Sequence, residues 1–330
     1  MKVQRRQFLR LAASATAIPT LGRTARAQAY PARPISMIVP YGAGGPTDTV
    51  ARIVAEGMRK PLGQPIIIEN VAGGSATIGV GRLARASGDG YTVGIGNWAS
   101  HVLNGAVFAL PYDLLQDFAP VAQIASDPQV IIARPDMPAN SLSELIAWLR
   151  ANPDKGTQGT GGAGSTSHVV GTLFQRETNT RFQFVPYRLG VGAAMTDLMA
   201  GQIDMMFSVA ANCVPQLRAG TIKGYAVTAS NRLPVAPEVP TVDEAGLPGF
   251  YVSNWHGVWV PKGTPANVVA SLDAAIVEAL AEASVQRRLA DLAQELPPRA
   301  AQTPEGLGTL QRAEIEKWWP IVKAANIKAD

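Results

Sequence analysis

The hydrophobic pattern changes period repeatedly along the chain, and each change places an element. Ile35, Met37, Ile38 and Val39 form a short apolar run of strand type, which breaks into the glycine turn VPYGAGGPTD at 39–48. Val50, Ile53, Val54, Gly57, Met58 and Leu62 then keep helical spacing until Gly63 and Pro65 stop it before a strand at 66–69. A second turn, 73–77, leads to another short helix, and a strand at 91–95 follows the turn Gly88-Asp89-Gly90. Further strands are predicted at 130–133, 182–186, 203–207 and 224–228, and helices at 169–176, 192–200 and 214–219. Ser141 and Glu144 form a capping box that starts a helix ending near Asn152-Pro153. A tryptophan-rich strand at 254–261 precedes Thr264-Pro265, an N-cap and first-turn proline for a long helix whose stripe Leu272, Ile276, Leu280 is core packing.

Short strands alternating with helical periods are the pattern of parallel βαβ units, so the fold class is α/β. A chain of this length exceeds what one core usually serves, and two lobes are expected. The pattern restarts near residue 130, and no linker long enough to separate independent domains appears. The predicted lobes are 28–130 plus 254–330 and 131–253, each a mainly parallel sheet flanked by helices, joined by two crossing strands. A ligand between them would be enclosed on closure.

Charge and the N-terminus change this picture in one respect. QRRQFLR (4–10), a mildly apolar stretch and the small-residue site Ala25-Arg26-Ala27 read as a twin-arginine-type export signal, 1–27, cleaved after Ala27. The run 11–21 is shorter than the roughly 20 apolar residues of a spanning helix. Six of the 29 basic residues and none of the 25 acidic ones lie in 1–27, so the remaining chain is near −2 and its basic pI belongs to the signal. No basic stripe remains for nucleic acid. The lone Cys213 reads as a small buried apolar residue.

The candidate chemistry is anion binding by backbone. Gly42, Gly44 and Gly45 let the main chain approach a ligand, and the next helix offers unpaired N–H groups and the positive end of its dipole. A second loop, GTGGAGSTSH at 159–168, repeats the device, so two loops are expected to clamp a small acid. A nucleotide is excluded at both. The first loop lacks the P-loop lysine, and the second lacks the apolar strand and the following acid of a dinucleotide fingerprint. Asp48 is read as capping its own helix and complementing the dipole. Ser165 is read as a helix cap and ligand contact, while an exported enzyme stays open as the alternative, either a cofactor-loaded oxidoreductase or a hydrolase using Ser165 and His168 on one helical turn, although no acid to orient His168 is identifiable. His101, His168 and His256 lack metal-ligand spacing, and no cofactor is implied.

These segments together resemble the substrate-binding proteins of the tripartite tricarboxylate transporter system, also called Bug proteins. The resemblance is carried by RPISMIVPYGAGGPTDTVAR, GQPIIIEN, GDGYTVGIGN, LPYDLLQDFAPV, GTGGAGSTSH, FVPYRLG, GQIDMMF, AGTIKGYAVT, VPTVDEAGLPGF and WHGVWVPKGTP, in the family's order. It implies a two-lobed periplasmic binding protein of type II-like architecture, monomeric, that delivers a small mono- or dicarboxylate to membrane permease subunits. The ligand-binding residues it implies are Tyr41, Gly42, Ala43, Gly44, Gly45, Thr47 and Asp48 of the first loop. From the second come Thr160, Gly161, Gly162, Ser165, Thr166 and His168, joined by Tyr187, Arg188 and Ser208. Two positions depart from the family. Ser208 stands where an acid often follows the DMMF strand, which weakens an amino-acid ligand. Arg188 stands where a lysine often follows VPY and would suit a second carboxylate.

Overall fold

The computed structural model describes residues 30–162, 164–187 and 191–327. The signal at 1–27 and Arg188 lie outside these. The first unit comprises β1 (Ile35–Val39), α1 (Pro46–Leu62), β2 (Ile66–Asn70), α2 (Thr77–Ala84), β3 (Thr92–Asn97), α3 (Asn104–Val107) and β4 (Phe118–Ala125). The second comprises β5 (Gln129–Ala133), α4 (Leu142–Ala151), β6 (Thr157–Thr160), α5 (Thr166–Thr178), β7 (Gln183–Pro186), α6 (Val191–Met199), β8 (Met205–Val209), α7 (Ala210–Arg218) and β9 (Lys223–Val227). The chain then returns as β10 (His256–Pro261), α8 (Ala266–Ala281), α9 (Ala283–Asp291) and α10 (Pro304–Ala324).

Two five-stranded sheets result, ordered β2-β1-β3-β10-β4 and β7-β6-β8-β5-β9. Each has one inverted strand: β10 runs antiparallel to β3 and β4, and β5 runs antiparallel to β8 and β9. The inverted strands are those that the chain enters on crossing from the other sheet, so the remaining strands stay co-directional as the βαβ pattern predicts. The expected boundary after residue 130 falls inside β5, whose Gln129 and Val130 already pair with Val209 and Ser208. The crossing itself is 126–128. Thr264 is not the cap of α8: Pro265 holds that position, and the Thr264 hydroxyl donates to the Pro261 carbonyl at 2.7 Å.

Local chemistry explains the element limits. Ser141 Oγ accepts the Glu144 N–H, while Glu144 reaches back to the Asn140 N–H at 2.7 Å, completing the capping box one residue early. In α1 the buried face, including Val50, Ile53, Val54 and Met58, packs on α8. Gly57 sits where the two helices touch, and a Cβ there would lie 2.8 Å from Ala279 Cβ. A central buried cluster continues from Trp98 and Trp259 beside the first sheet through Trp255 to Phe250, Phe207 and Phe174 beside the second.

The paired registers set the position of the site. Asn97, the last residue of β3, faces His256, the first of β10; Val209, the last of β8, faces Gln129, the first of β5. Both crossings therefore leave from the carboxyl edges of the parallel strands. They are tied to each other there: Asn254 N–H donates to Asp127 O at 2.9 Å, and Thr228 Oγ1 donates to Val252 O at 2.5 Å.

Candidate functional site at the carboxyl edges of both sheets

The loops leaving the carboxyl ends of parallel strands are where an open α/β sheet can expose helix N-termini to a ligand. β1 enters α1 through residues 40–45, with Gly42, Ala43 and Gly44 exposed and Gly45 at the N-cap. Gly44 has φ +78°, a left-handed backbone that favours glycine. Asp48, 1% exposed, spends its carboxylate inside the loop: Oδ2 accepts from Gly44 N–H at 2.8 Å and Arg52 Nε at 2.9 Å, and Oδ1 accepts from Asn70 Nδ2 at 2.9 Å. Burial alone would raise this carboxyl, but the bonds from Arg52, Gly44 and Asn70 outweigh it and bring the pKa to about 2. This is the loop-shaping role read from the sequence. The first-turn N–H groups of Thr47 and Asp48 have no protein acceptor among the described residues.

β6 enters α5 through the second loop, with Gly162 at φ +100° and Gly164 at φ +74°. Its glycine N–H groups are largely consumed locally. Gly161 N–H donates to Ser167 Oγ at 3.2 Å, Gly162 N–H to Thr160 Oγ1 at 3.2 Å, and Gly164 N–H to His168 Nδ1 at 3.1 Å. Ser165 is the N-cap and accepts the His168 backbone N–H at 3.4 Å. Among the described residues, the N–H groups of Thr166 and Ser167 in the first turn of α5 meet no protein acceptor. The loop thus shapes the site, and the helix turn behind it carries the available donors.

His168 accepts on Nδ1, so its proton is on Nε2. Burial lowers its pKa, and the ring meets Phe184 edge-on at 4.4 Å between centroids. Its imidazole is bonded to Gly164, and the Ser165 hydroxyl to the backbone of His168, so the pair is not arranged as nucleophile and base. Among the described residues no cluster of metal-ligating side chains occurs.

The remaining sequence-predicted residues fall into two groups. The hydroxyls of Tyr41 and Tyr187 point to protein partners, Asn97 Oδ1 at 2.8 Å and Asp197 Oδ2 at 2.6 Å. Ser208 is 2% exposed, and its hydroxyl donates to Val209 O at 3.4 Å, so it lies under the edge. The second loop reaches the first unit at the end of α3, where a Cβ on Gly164 would lie 2.9 Å from Val107 Cγ1. Sequence reasoning missed Asn97 and Asn70, which hold the first loop from below, and Asn97 also accepts the Ser100 N–H at 3.0 Å. The available signal was a polar residue ending an otherwise apolar strand.

Comparison with known proteins places the chain among its relatives. Residues 50–327 match the model described as tripartite tricarboxylate transporter family receptor. Protein BugT of Bordetella pertussis is 34% identical over 92% of this chain and 92% of its own. MatC of Rhodopseudomonas palustris, solved with bound malate, is 40% identical with a TM-score of 0.76 over 89% of this chain and 100% of its own. A second protein from that organism, solved with adipate, is 32% identical with a TM-score of 0.78 over 91% of this chain and 100% of its own.

Proposed function

The chain belongs to the tripartite tricarboxylate transporter receptor family, and from that premise we propose that it is a periplasmic solute-binding protein for a small organic carboxylate. It captures the acid between its two sheets and delivers it to the membrane permease subunits of a tripartite transporter. The observation that carries this reading is the pair of helix N-termini, α1 and α5, each with first-turn N–H groups that meet no acceptor among the described residues and each set at the carboxyl edge of the parallel strands of its sheet. The related structures with malate and adipate support the same ligand class.

Within this reading the lobes are 28–130 with 254–330 and 131–253, the first limit drawn back to the crossing at 126–128. The export signal 1–27 is of twin-arginine type and is removed after Ala27, and the receptor acts as a monomer without a cofactor. Tyr41 to Gly45, Thr47, Thr160 to Gly162, Ser165, Thr166 and His168 line the clamp, while Asp48, Tyr187 and Ser208 support it. Arg188 grips a second carboxylate when the ligand has one. Binding proceeds without chemistry.

Native mass spectrometry of protein purified under mild conditions tests the proposal. A mass increment matching one small organic acid is expected. A nucleotide-sized increment, or ester hydrolysis that disappears in Ser165→Ala, would contradict it.

A further inference from the structure

Behind the first loop lies a buried polar group that the clamp itself does not account for. Asn97 and His256 are 6% and 0% exposed and face each other across β3 and β10, and both reach Thr47, itself 5% exposed. The backbone N–H of Ser100 can only donate, and it meets Asn97 Oδ1 at 3.0 Å; Tyr41 O–H meets the same oxygen at 2.8 Å. This fixes the amide orientation, so Asn97 Nδ2 is the donor that meets Thr47 Oγ1 at 3.4 Å. His256 Nε2 lies 3.2 Å from the same oxygen, and its Nδ1 has no partner among the described residues.

A buried orphan N–H is rarer than a buried orphan acceptor. The imidazole is therefore protonated on Nε2, leaving Nδ1 as the empty lone pair. Burial holds the ring neutral, lowering its pKa to about 4. Thr47 Oγ1 then accepts from both Asn97 and His256, and both its lone pairs are taken. Its hydroxyl proton has no acceptor among the described residues, and it sits beside the free first-turn N–H groups of Thr47 and Asp48.

We propose that Asn97 and His256 are positioning residues that make the Thr47 hydroxyl an obligate hydrogen-bond donor. The first loop then selects an ionised carboxylate over any ligand group that must itself donate. This rests on the carboxylate reading above. An amide or a protonated acid has one carbonyl oxygen to accept, but its second heteroatom carries N–H or O–H, which would face either a first-turn N–H or a hydroxyl with no lone pair left, whereas a carboxylate accepts at both oxygens.

The test measures dissociation constants for malate, succinate and adipate, each beside its diamide, in the wild type, Thr47→Val, Thr47→Ser, His256→Phe and the Thr47→Val/His256→Phe double variant. A hydrogen bond to a charged group corresponds to roughly a tenfold change in affinity or somewhat more. His256→Phe should weaken the bound acid by about that factor and narrow the acid-to-amide ratio. Thr47→Ser should restore wild-type selectivity, and the double variant should lose no more than Thr47→Val alone. An unchanged acid-to-amide ratio in His256→Phe, with only a lower melting temperature, would overturn the positioning role while leaving the clamp. A wild type that binds no carboxylate would instead sink the clamp reading. Nitrogen NMR of the wild-type imidazole decides independently of any variant's folding: an Nε2–H tautomer at His256 is predicted, and Nδ1–H would refute the proposal.

Discussion

Gly45 is the residue where fold and ligand make separable demands. Its φ of −74° suits any residue, and a Cβ there would meet only Gly42 O at an ordinary 3.4 Å. The fold therefore tolerates a side chain at the N-cap, whereas the proposed clamp needs that space for the ligand. Gly45→Val is expected to leave the melting temperature within a few degrees and to reduce carboxylate affinity at least about a hundredfold, as two or more charge-assisted hydrogen bonds are lost. Titration calorimetry checks this, and wild-type affinity in the variant would remove Gly45 from the site. The glycines, Asp48 and Ser165 were legible as residues because each occupies a loop-to-helix position with a known backbone need. Asn97 and the orientation of Thr47 were not, because they depend on a pairing between β3 and β10, which lie about half the chain apart.

At the scale of elements, α1 and α8 meet closely at Gly57. A Cβ would lie 2.8 Å from Ala279 Cβ and 3.2 Å from its Cα, so the neighbour cannot turn aside. Gly57→Val should destabilise by about 1–3 kcal/mol through overpacking, despite the better helix propensity of valine. Denaturant unfolding measures it, and an unchanged midpoint would contradict the packing. The strands and helices with clean periods were legible, among them β1, α1, β2 and β5. β4 was not, because Pro120 interrupts its pattern, which an edge strand accommodates. α10 escaped for a similar reason: Gly306, Gly308 and Pro320 lie within it. The donor set of the second loop was also unreadable, since its glycine N–H groups are satisfied by the side chains of Thr160, Ser167 and His168, which only the folded loop brings to them.

Across the whole molecule, the crossing between lobes contains a buried acid. Asp127 is 1% exposed, and burial raises its pKa to about 8, with the neighbouring Glu295 adding to the rise. Between about pH 4 and pH 8 the folded protein keeps a proton that the unfolded chain releases, so stability falls as pH rises through that window. His256 and His101, lowered by burial to about 4 and about 3, act in the opposite sense: below the usual 6.5 the unfolded chain binds protons that the fold excludes, and stability is lost on acidification. The two effects oppose each other below 6.5 and separate above it. The wild-type melting temperature should therefore decline from pH 6.5 to 8, and Asp127→Asn should flatten that decline; a wild type already flat there would refute a buried neutral acid at the crossing.

The lobes, the crossing and the two loops together make one claim, that an ionised carboxylate is held between two helix N-termini. Calorimetric titration of the intact protein with malate, succinate and adipate, each beside its dimethyl ester, tests it most directly. The account predicts saturable one-to-one binding of at least one acid and at least about a hundredfold weaker binding of its ester, which has no charge for the N–H groups to meet. Equal affinity for an acid and its ester, or no binding of any acid, would contradict it.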